Sequence, residues 1–478
     1  MKNTIRNNIG RSLAGAAAAL LALSALPAHA QSDDALINKL VKKGILTEDE
    51  AADLRKESDK DFSKSFSAKT GMADWVNSMK FYGDVRLRYE ELDSRAQVFD
   101  NGQSTTPAGT PGLRDFPGRT RFRYRLRFGT TVTMMDNLEA GMRLISGDVP
   151  GTTGGKPLSG NSTFQDNASK KSIYIDLVYG RWYFPKNSLF SGNITAGKME
   201  NPFALSDMVF DPDYTPEGAA LQFALNIADN QKLKLNGGVF VLDENQSPWT
   251  SGGGIGDNPF LGGVQLLYEA SWTRKLNTSL GISWLGIQNA TNLTTAAVPD
   301  LNVGNTRDAT RAALKYNYEP IVLNGAITYT LDNFPLYRGA FPVKINGEFM
   351  NNSDAPYHSD NYAWNAGLVF GKAGKRGTWE FSYAYKYLGA NAWYEELVDD
   401  DFGAVYQQPS PAYGPLVGRL SGYYTGTNVK GHIFRFAYSP ADALTLSAKF
   451  FLTELIRAYP LQTPSEAHRF QVDATLKF

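Results

Sequence analysis

The sequence of 478 residues has no cysteine and only four histidines, and beyond residue 30 no apolar run approaches the about 20 residues that a membrane-spanning helix needs. Without cysteine there is no disulfide scaffold. With so little histidine a His/Cys metal cluster is excluded as well. Neither sign of charge is in excess: 48 basic residues stand against 48 acidic ones, and nothing in that balance calls for a nucleic-acid partner. No Walker loop or dinucleotide fingerprint follows a strand-like segment. Disorder is excluded by the opposite observation, because 27 Phe, 24 Tyr and 8 Trp supply far more apolar area than a solvated chain carries.

What is present begins with a leader. Lys2, Arg6 and Arg11 precede an apolar Ala/Leu run from Leu13 to Leu26, and Ala28-His29-Ala30 is a small-x-small cleavage site. This predicts a cleaved signal peptide over 1–30 and export. Residues 33–57 then follow helical spacing in Leu36, Ile37, Leu40 and Val41, with Gly44 at a helix end and Thr47 with Glu50 as a capping box. A short helical hairpin and a polar linker are expected over 31–77, on the periplasmic side, where the cell wall is a candidate partner.

From about Met79 the hydrophobic period changes from 3.6 to 2. Trp379, Phe381, Tyr383, Tyr385 and Tyr387 alternate with polar residues, and Val264, Leu266, Tyr268, Ala270 and Trp272 repeat the pattern. Such alternation marks strands with one greasy face. Roughly 16 segments begin near 79, 119, 137, 171, 191, 217, 231, 261, 277, 313, 341, 361, 376, 428, 442 and 468, with 306–331 read as one long strand. Turns at Asp136-Asn137, Pro185-Lys186-Asn187, Asp229-Asn230, Lys275-Leu276 and Pro440-Ala441 alternate with Gly-, Asn- and Pro-rich loops over 92–118, 147–170, 290–312 and 390–427. An even strand number, short turns on one side and long loops on the other are the outer-membrane barrel pattern. The competing fold is a large soluble all-β sandwich. Export, aromatic outward faces and a last strand running Phe470, Val472, Ala474, Leu476, Phe478 favour the membrane barrel. The expected fold is therefore all-β: a transmembrane antiparallel β-barrel of about 16 strands over 78–478, preceded by the short helical segment.

Arg119, Arg121, Arg123, Arg125 and Arg127 occupy alternate positions against Phe122, Tyr124, Leu126 and Phe128. Arginine facing lipid at the midplane costs roughly 2–4 kcal/mol, so the row belongs in the lumen. Arg86 and Arg88 on the first strand, Arg143 on the third, and Lys449 and Lys477 on the last two extend it into one basic wall once the barrel closes. The wall has two readings: an anion-attracting ladder, or lumen arginines paired with Asp84, Glu90 and Glu139. The third long loop, about 200–216, carries Glu200, Asp207, Asp211 and Asp213, with Glu217 at its end. Its Phe203, Leu205, Met208 and Phe210 favour folding into the barrel, which would set these carboxylates opposite the arginines at a constriction. A second cluster, Glu395, Glu396, Asp399, Asp400 and Asp401, reads as a solvated rim without metal-loop spacing. His358, His432 and His468 mark no catalytic site, and no cofactor is implied.

Three stretches carry a family resemblance: the start ALINKLVKKGILTEDEAADLRKE, the third loop GKMENPFALSDMVFDPDYTPEGAA, and the late run GKAGKRGTWEFSYAYKYLGANAW followed by DDDFG and GTNVKGHIFRFAYS. Together the chain resembles the "Putative porin" family of Gram-negative outer membranes, which is more distantly similar in style to phosphate-selective porins. Residues 404–425 look like an insertion between DDDFG and GTNVKGH. The resemblance implies a pore with the third loop inside. Passive diffusion of small hydrophilic solutes or ions, leaning toward anions, is the expected function. An outer-membrane barrel enzyme of the lipase or protease type and an adhesin barrel stay open beside it. By analogy with barrels of this strand number, a homotrimer embedded in outer-membrane lipid is expected.

Overall fold

A strand with one greasy face can present it to lipid only if its backbone donors and acceptors are paired on both sides, which closure supplies. In the computed structural model, a 17-stranded sheet closes on itself, and since one member is the two-residue Ser162–Thr163, 16 long strands make the barrel. They are β1 Val76–Phe99, β2 Pro111–Met134, β3 Leu138–Gly147, β4 Ser172–Tyr183, β5 Phe190–Lys198, β6 Glu217–Ala228, β7 Gln231–Val241 and β8 Phe260–Ser271. The second half comprises β9 Leu276–Gln288, β10 Pro320–Leu331, β11 Phe341–Asn352, β12 Tyr362–Gly371, β13 Thr378–Leu388, β14 Val429–Ala441, β15 Leu444–Leu455 and β16 Glu466–Lys477. Each pairs with its neighbour in sequence, and β1 pairs antiparallel with β16 from Asp84 opposite Lys477 to Arg95 opposite Glu466.

The structure describes residues 73–99, 111–148, 158–185, 187–244, 258–293, 304–308, 313–403, 406–408, 421–423, 426–457 and 466–478. The leader at 1–30 and the helical hairpin at 33–57 lie outside these residues. Of the insertion at 404–425, Tyr406–Gln408 and Ser421–Tyr423 form a small antiparallel ribbon. Contacts divide the chain into Met1–Ser78 and Met79–Phe478, and the second unit carries the pore.

The tenth segment differs from its expectation. The strand starts at Pro320, not near 306 or 313, and among the described residues before it there are isolated bridges, Arg307 with Leu314 and Ile287 with Tyr318. Leu314 and Tyr318 have strand-like alternation but are packed at 1% and 0% exposure in the lumen core, and Pro320 takes the first strand position, where its missing N–H costs no ladder bond. The even parity survives. Pro440 and Ala441 belong to β14, where the register shifts after Tyr438, and Leu276 opens β9.

Outward faces are apolar around the ring. Leu266, Ile282 and Leu323, side by side on β8, β9 and β10, are 41%, 49% and 47% exposed. Rings gather toward both ends: Trp182 with Phe184 and Phe334 with Trp379 at the turn end, Trp364 with Tyr385 at the loop end. Such belts sit at the membrane interfaces. Ile282→Arg, in the middle of this band, is expected to destabilise the barrel by about 2–4 kcal/mol. Denaturant unfolding of protein refolded into vesicles measures this, and an unchanged midpoint would mean that this band does not meet lipid.

Candidate functional site

Alternation turns Arg86 and Arg88 of β1 and Arg119, Arg121, Arg123, Arg125 and Arg127 of β2 into the lumen, and the structure sets a carboxylate beside most of them. Arg88 pairs with Asp473 and Asp401, both at 2.8 Å. Arg121 pairs with Glu90 at 2.5 Å, and Arg125 with Asp84 at 3.0 Å and Asp213 at 2.9 Å. Arg127 reaches Asp213 at 2.6 Å and Asp176 at 3.5 Å, while Arg143 holds Asp176 and Glu200. Arg469 of β16 joins the wall through Asp401 at 2.9 Å. Three members are weakly compensated. Arg123 approaches Asp148 only to 4.0 Å, and Asp148 already accepts from the backbone and hydroxyl of Thr163. Arg86 donates to the neutral side-chain oxygen of Asn161 at 2.6 Å. Arg119 stands half-buried toward the loop end of β2.

Asp176 breaks the alternation of β4, and a bulge explains it. Arg143 faces Leu177 while Leu144 faces Ile175, so Asp176 is an extra residue in β4. Ile175 and Val178 point outward, while Asp176 and Leu177 both turn inward, at 5% and 1% exposure. Glu139 serves a different arginine, Arg181 on β4. Lys449 lies over the ring of Phe451, and Lys477 is exposed at the turn end, so neither is an ion-pair member of the wall among the described residues.

The third loop, 199–216, crosses the lumen from this wall and back. At its root Gly197 has φ +117°, and a Cβ there would come within 2.3 Å of the Val178 carbonyl oxygen. Met199 N–H donates to Pro216 O and closes the base at 2.9 Å. Glu200 stays on Arg143. The loop then crosses to an amide-rich wall, where Ala204 N–H donates to Gln265 at 2.8 Å, and Glu348 and Asn365 bind Ser206. Asp207 therefore faces Lys386 of β13 at 2.8 Å, not the arginines. Asp213 returns to Arg125 and Arg127. Burial alone would raise the Asp213 carboxyl, but these two guanidiniums outweigh it and hold it below the usual range. Glu217, on β6, pairs with Lys198 and is exposed, so it too stands apart from the arginines.

The second acidic cluster is not a solvated rim. It enters the lumen on the seventh loop, 389–428, and packs onto the third. Trp393, fully buried, donates its indole N–H to Val209 O at 2.9 Å and stands edge-on to Phe210 at 6.1 Å. Asp211 N–H donates to Leu397 O at 2.7 Å, and Asp400 N–H to the Asp211 carboxylate at 3.0 Å. Glu395 pairs with Arg307 at 2% exposure. Burial of Trp393, Leu397, Val398 and Phe402 against Met208, Val209 and Phe210 drives the docking. It also brings carboxylates together, since oxygens of Asp211, Asp399 and Asp400 lie within 4.8 Å of one another. Burial first, then Asp401 and Asp399, pushes Asp400 up to about 7. Burial and the charges of Asp400, Asp213 and Asp399 push Asp211 up as well. The alternating pattern Trp393, Glu395, Leu397, Asp399 carried a hint of this, because a solvated rim has little use for the tryptophan.

A barrel whose lumen is constricted by its own loops now has a sequence counterpart. The model of the family described as "Putative porin" matches residues 63–317, more than half of the 478. The chain belongs to this family. As a porin it is an outer-membrane channel for passive diffusion of small hydrophilic solutes. No curated protein sequence matches the chain. Solved structures similar to this porin include Pseudomonas putida OprB at high pH, with 10% identity over 87% of this chain and 97% of that one and a TM-score of 0.44. Pseudomonas aeruginosa OpdQ is 11% identical over 85% and 100% of the two chains, with a TM-score of 0.36. A substituted Rh. blastica porin is 7% identical over 84% and 100%, with a TM-score of 0.35.

Proposed function

We propose that this porin conducts small ions with a lean toward anions, set by Arg86, Arg88, Arg119, Arg121, Arg123, Arg125, Arg127 and Arg143. Glu200 and Asp213 of the third loop temper that wall, while Asp207 and Glu217 charge other parts of the passage and Asp211 lies buried against the seventh loop. One observation carries the lean: among the described residues Arg86, Arg119 and Arg123 have no carboxylate closer than 4.0 Å, where the other arginines of the wall are paired. A guanidinium left uncompensated between low-dielectric walls raises the local anion concentration. We read the chain as a channel and not a hydrolase. His432 and His468 lie on the outward faces of β14 and β16, remote from any solute in the lumen, and His358 is exposed on a loop. In the same reading, residues 1–30 are cleaved on export, 31–77 stay in the periplasm beside the cell wall, and the barrels associate as trimers.

Purified protein in planar bilayers is expected to give discrete ion-conducting steps, with a reversal potential on the anion side under a salt gradient. Absence of conductance from protein whose gel mobility shifts on boiling, as a folded barrel's does, would overturn the channel reading.

A further inference from the structure

The carboxylate of Asp401 sits between two arginines from different strands. Its Oδ2 accepts from Arg88 Nη1 at 2.8 Å, and its Oδ1 accepts from Arg469 Nη1 at 2.9 Å. One oxygen on each guanidinium is how a forked pair of arginines holds a carboxylate or phosphate. The two arginines do not depend equally on it. Arg88 also holds Asp473 through Nε and Nη2, at 2.8 and 2.9 Å. Arg469 has, among the described residues, no other carboxylate within 4 Å, only the Asp400 carbonyl at 3.4 Å. If Asp401 leaves, Arg469 keeps no carboxylate within 4 Å among the described residues, and only the charge of Glu90 still acts on it through space.

Asp401 is carried on a loop held against its own charge. Asp399 and Asp400 adjoin it in sequence, and Asp211 of the third loop shares their space within 4.8 Å. Burial would raise the Asp401 carboxyl, but Arg88 and Arg469 hold it well below the usual range. Its two neighbours in the cluster, Asp399 and Asp400, are pushed up by burial and by nearby carboxylates. The attraction of the arginines for Asp401 is thus partly offset by like charge in its own loop, which departure of Asp401 relieves.

We propose that Arg88 and Arg469 form an oxyanion subsite in the pore, occupied at rest by the chain's own Asp401, which a carboxylate- or phosphate-bearing solute displaces in transit. The subsite rests on the channel reading above and deepens it: the favoured solutes carry a compact oxyanion. Loss of Asp401 leaves the subsite empty and more available.

The test is block of chloride current in planar bilayers at low salt, with inorganic phosphate and acetate as separate probes. Asp401→Asn is expected to lower the half-blocking concentration of at least one probe tenfold or more and to shift the reversal potential toward anions. Asp401→Glu is expected to restore wild-type block. Arg469→Gln, in the wild-type background, is expected to lose block. The probe that acts identifies the favoured headgroup. If Asp401→Asn conducts with unchanged block by both probes, or if Arg469→Gln retains wild-type block, the subsite is overturned. Absence of wild-type conductance would instead remove the channel reading on which it rests.

Discussion

Serine at Arg121, Arg123 and Arg125 together is expected to reverse the pore's preference, moving the reversal potential to the cation side. The expectation rests on what the arginines leave behind. Arg121 is the partner of Glu90, and Arg125 is shared by Asp84 and Asp213. Removing three positive charges therefore unmasks carboxylates that stay buried in the wall. A unit charge contributes about 1 kcal/mol at 4 Å in water and more beside a low-dielectric wall. After screening by salt, a net change of at least about 1.4 kcal/mol, tenfold in the anion-to-cation permeability ratio, is a conservative figure for three charges. An unchanged ratio in folded protein would make the arginines a structural lattice without influence on the passing ion.

The second large effect follows pH. Docking of the seventh loop on the third buries Asp400 with a carboxyl pushed up to about 7 from an ordinary 3.8, and pushes Asp211 in the same direction. A group whose pKa rises on docking is protonated more readily in the docked state, so docking is favoured at low pH and weakens as pH rises through about 7. Asp401 and Asp213 are held low by arginines, so their contribution is lost only below the ordinary carboxylate range. Between pH 4 and 7 Asp400 and Asp211 therefore set the sign. Amide hydrogen exchange across 397–402 is expected to be several-fold slower at pH 5.5 than at pH 8, after correction for intrinsic rates, and Asp400→Asn is expected to flatten that dependence. Faster corrected exchange at pH 5.5 would contradict it.

Much of this architecture is legible in period-2 alternation, because a barrel needs each strand to report only its own two faces. Strands such as β13 and β2 declare themselves in Trp379 to Tyr387 and Arg119 to Phe128. The inward third loop was legible too, from apolar residues too sparse for a strand. The failures have a common cause. Leu314 and Tyr318, Asp207, and the cluster from Glu395 to Asp401 took their places from contacts inside the lumen between distant segments, and alternation carries no information about those. Asp176 was hidden by a single extra residue that breaks the period within β4. Arg469 and Asp473 could have been found, since they share the polar face of the last strand with Gln471 while Phe470 and Val472 face out.

The seam where β1 meets β16 joins residues almost a whole chain apart, and Arg88 and Asp473 are separated by 385 positions. Until the last strand arrives, β1 is an open edge, and closing so long a span is slow. Backbone bonds between Gly83 and Phe478, at 2.9 and 3.1 Å, fasten the seam at one end. Arg88 clasps it from within, so the side chain proposed to meet solutes is also the buckle that joins first strand to last. If Arg88 does set permeability, a change there also touches assembly, and a variant that widens the choice of solutes must find another way to shut the ring.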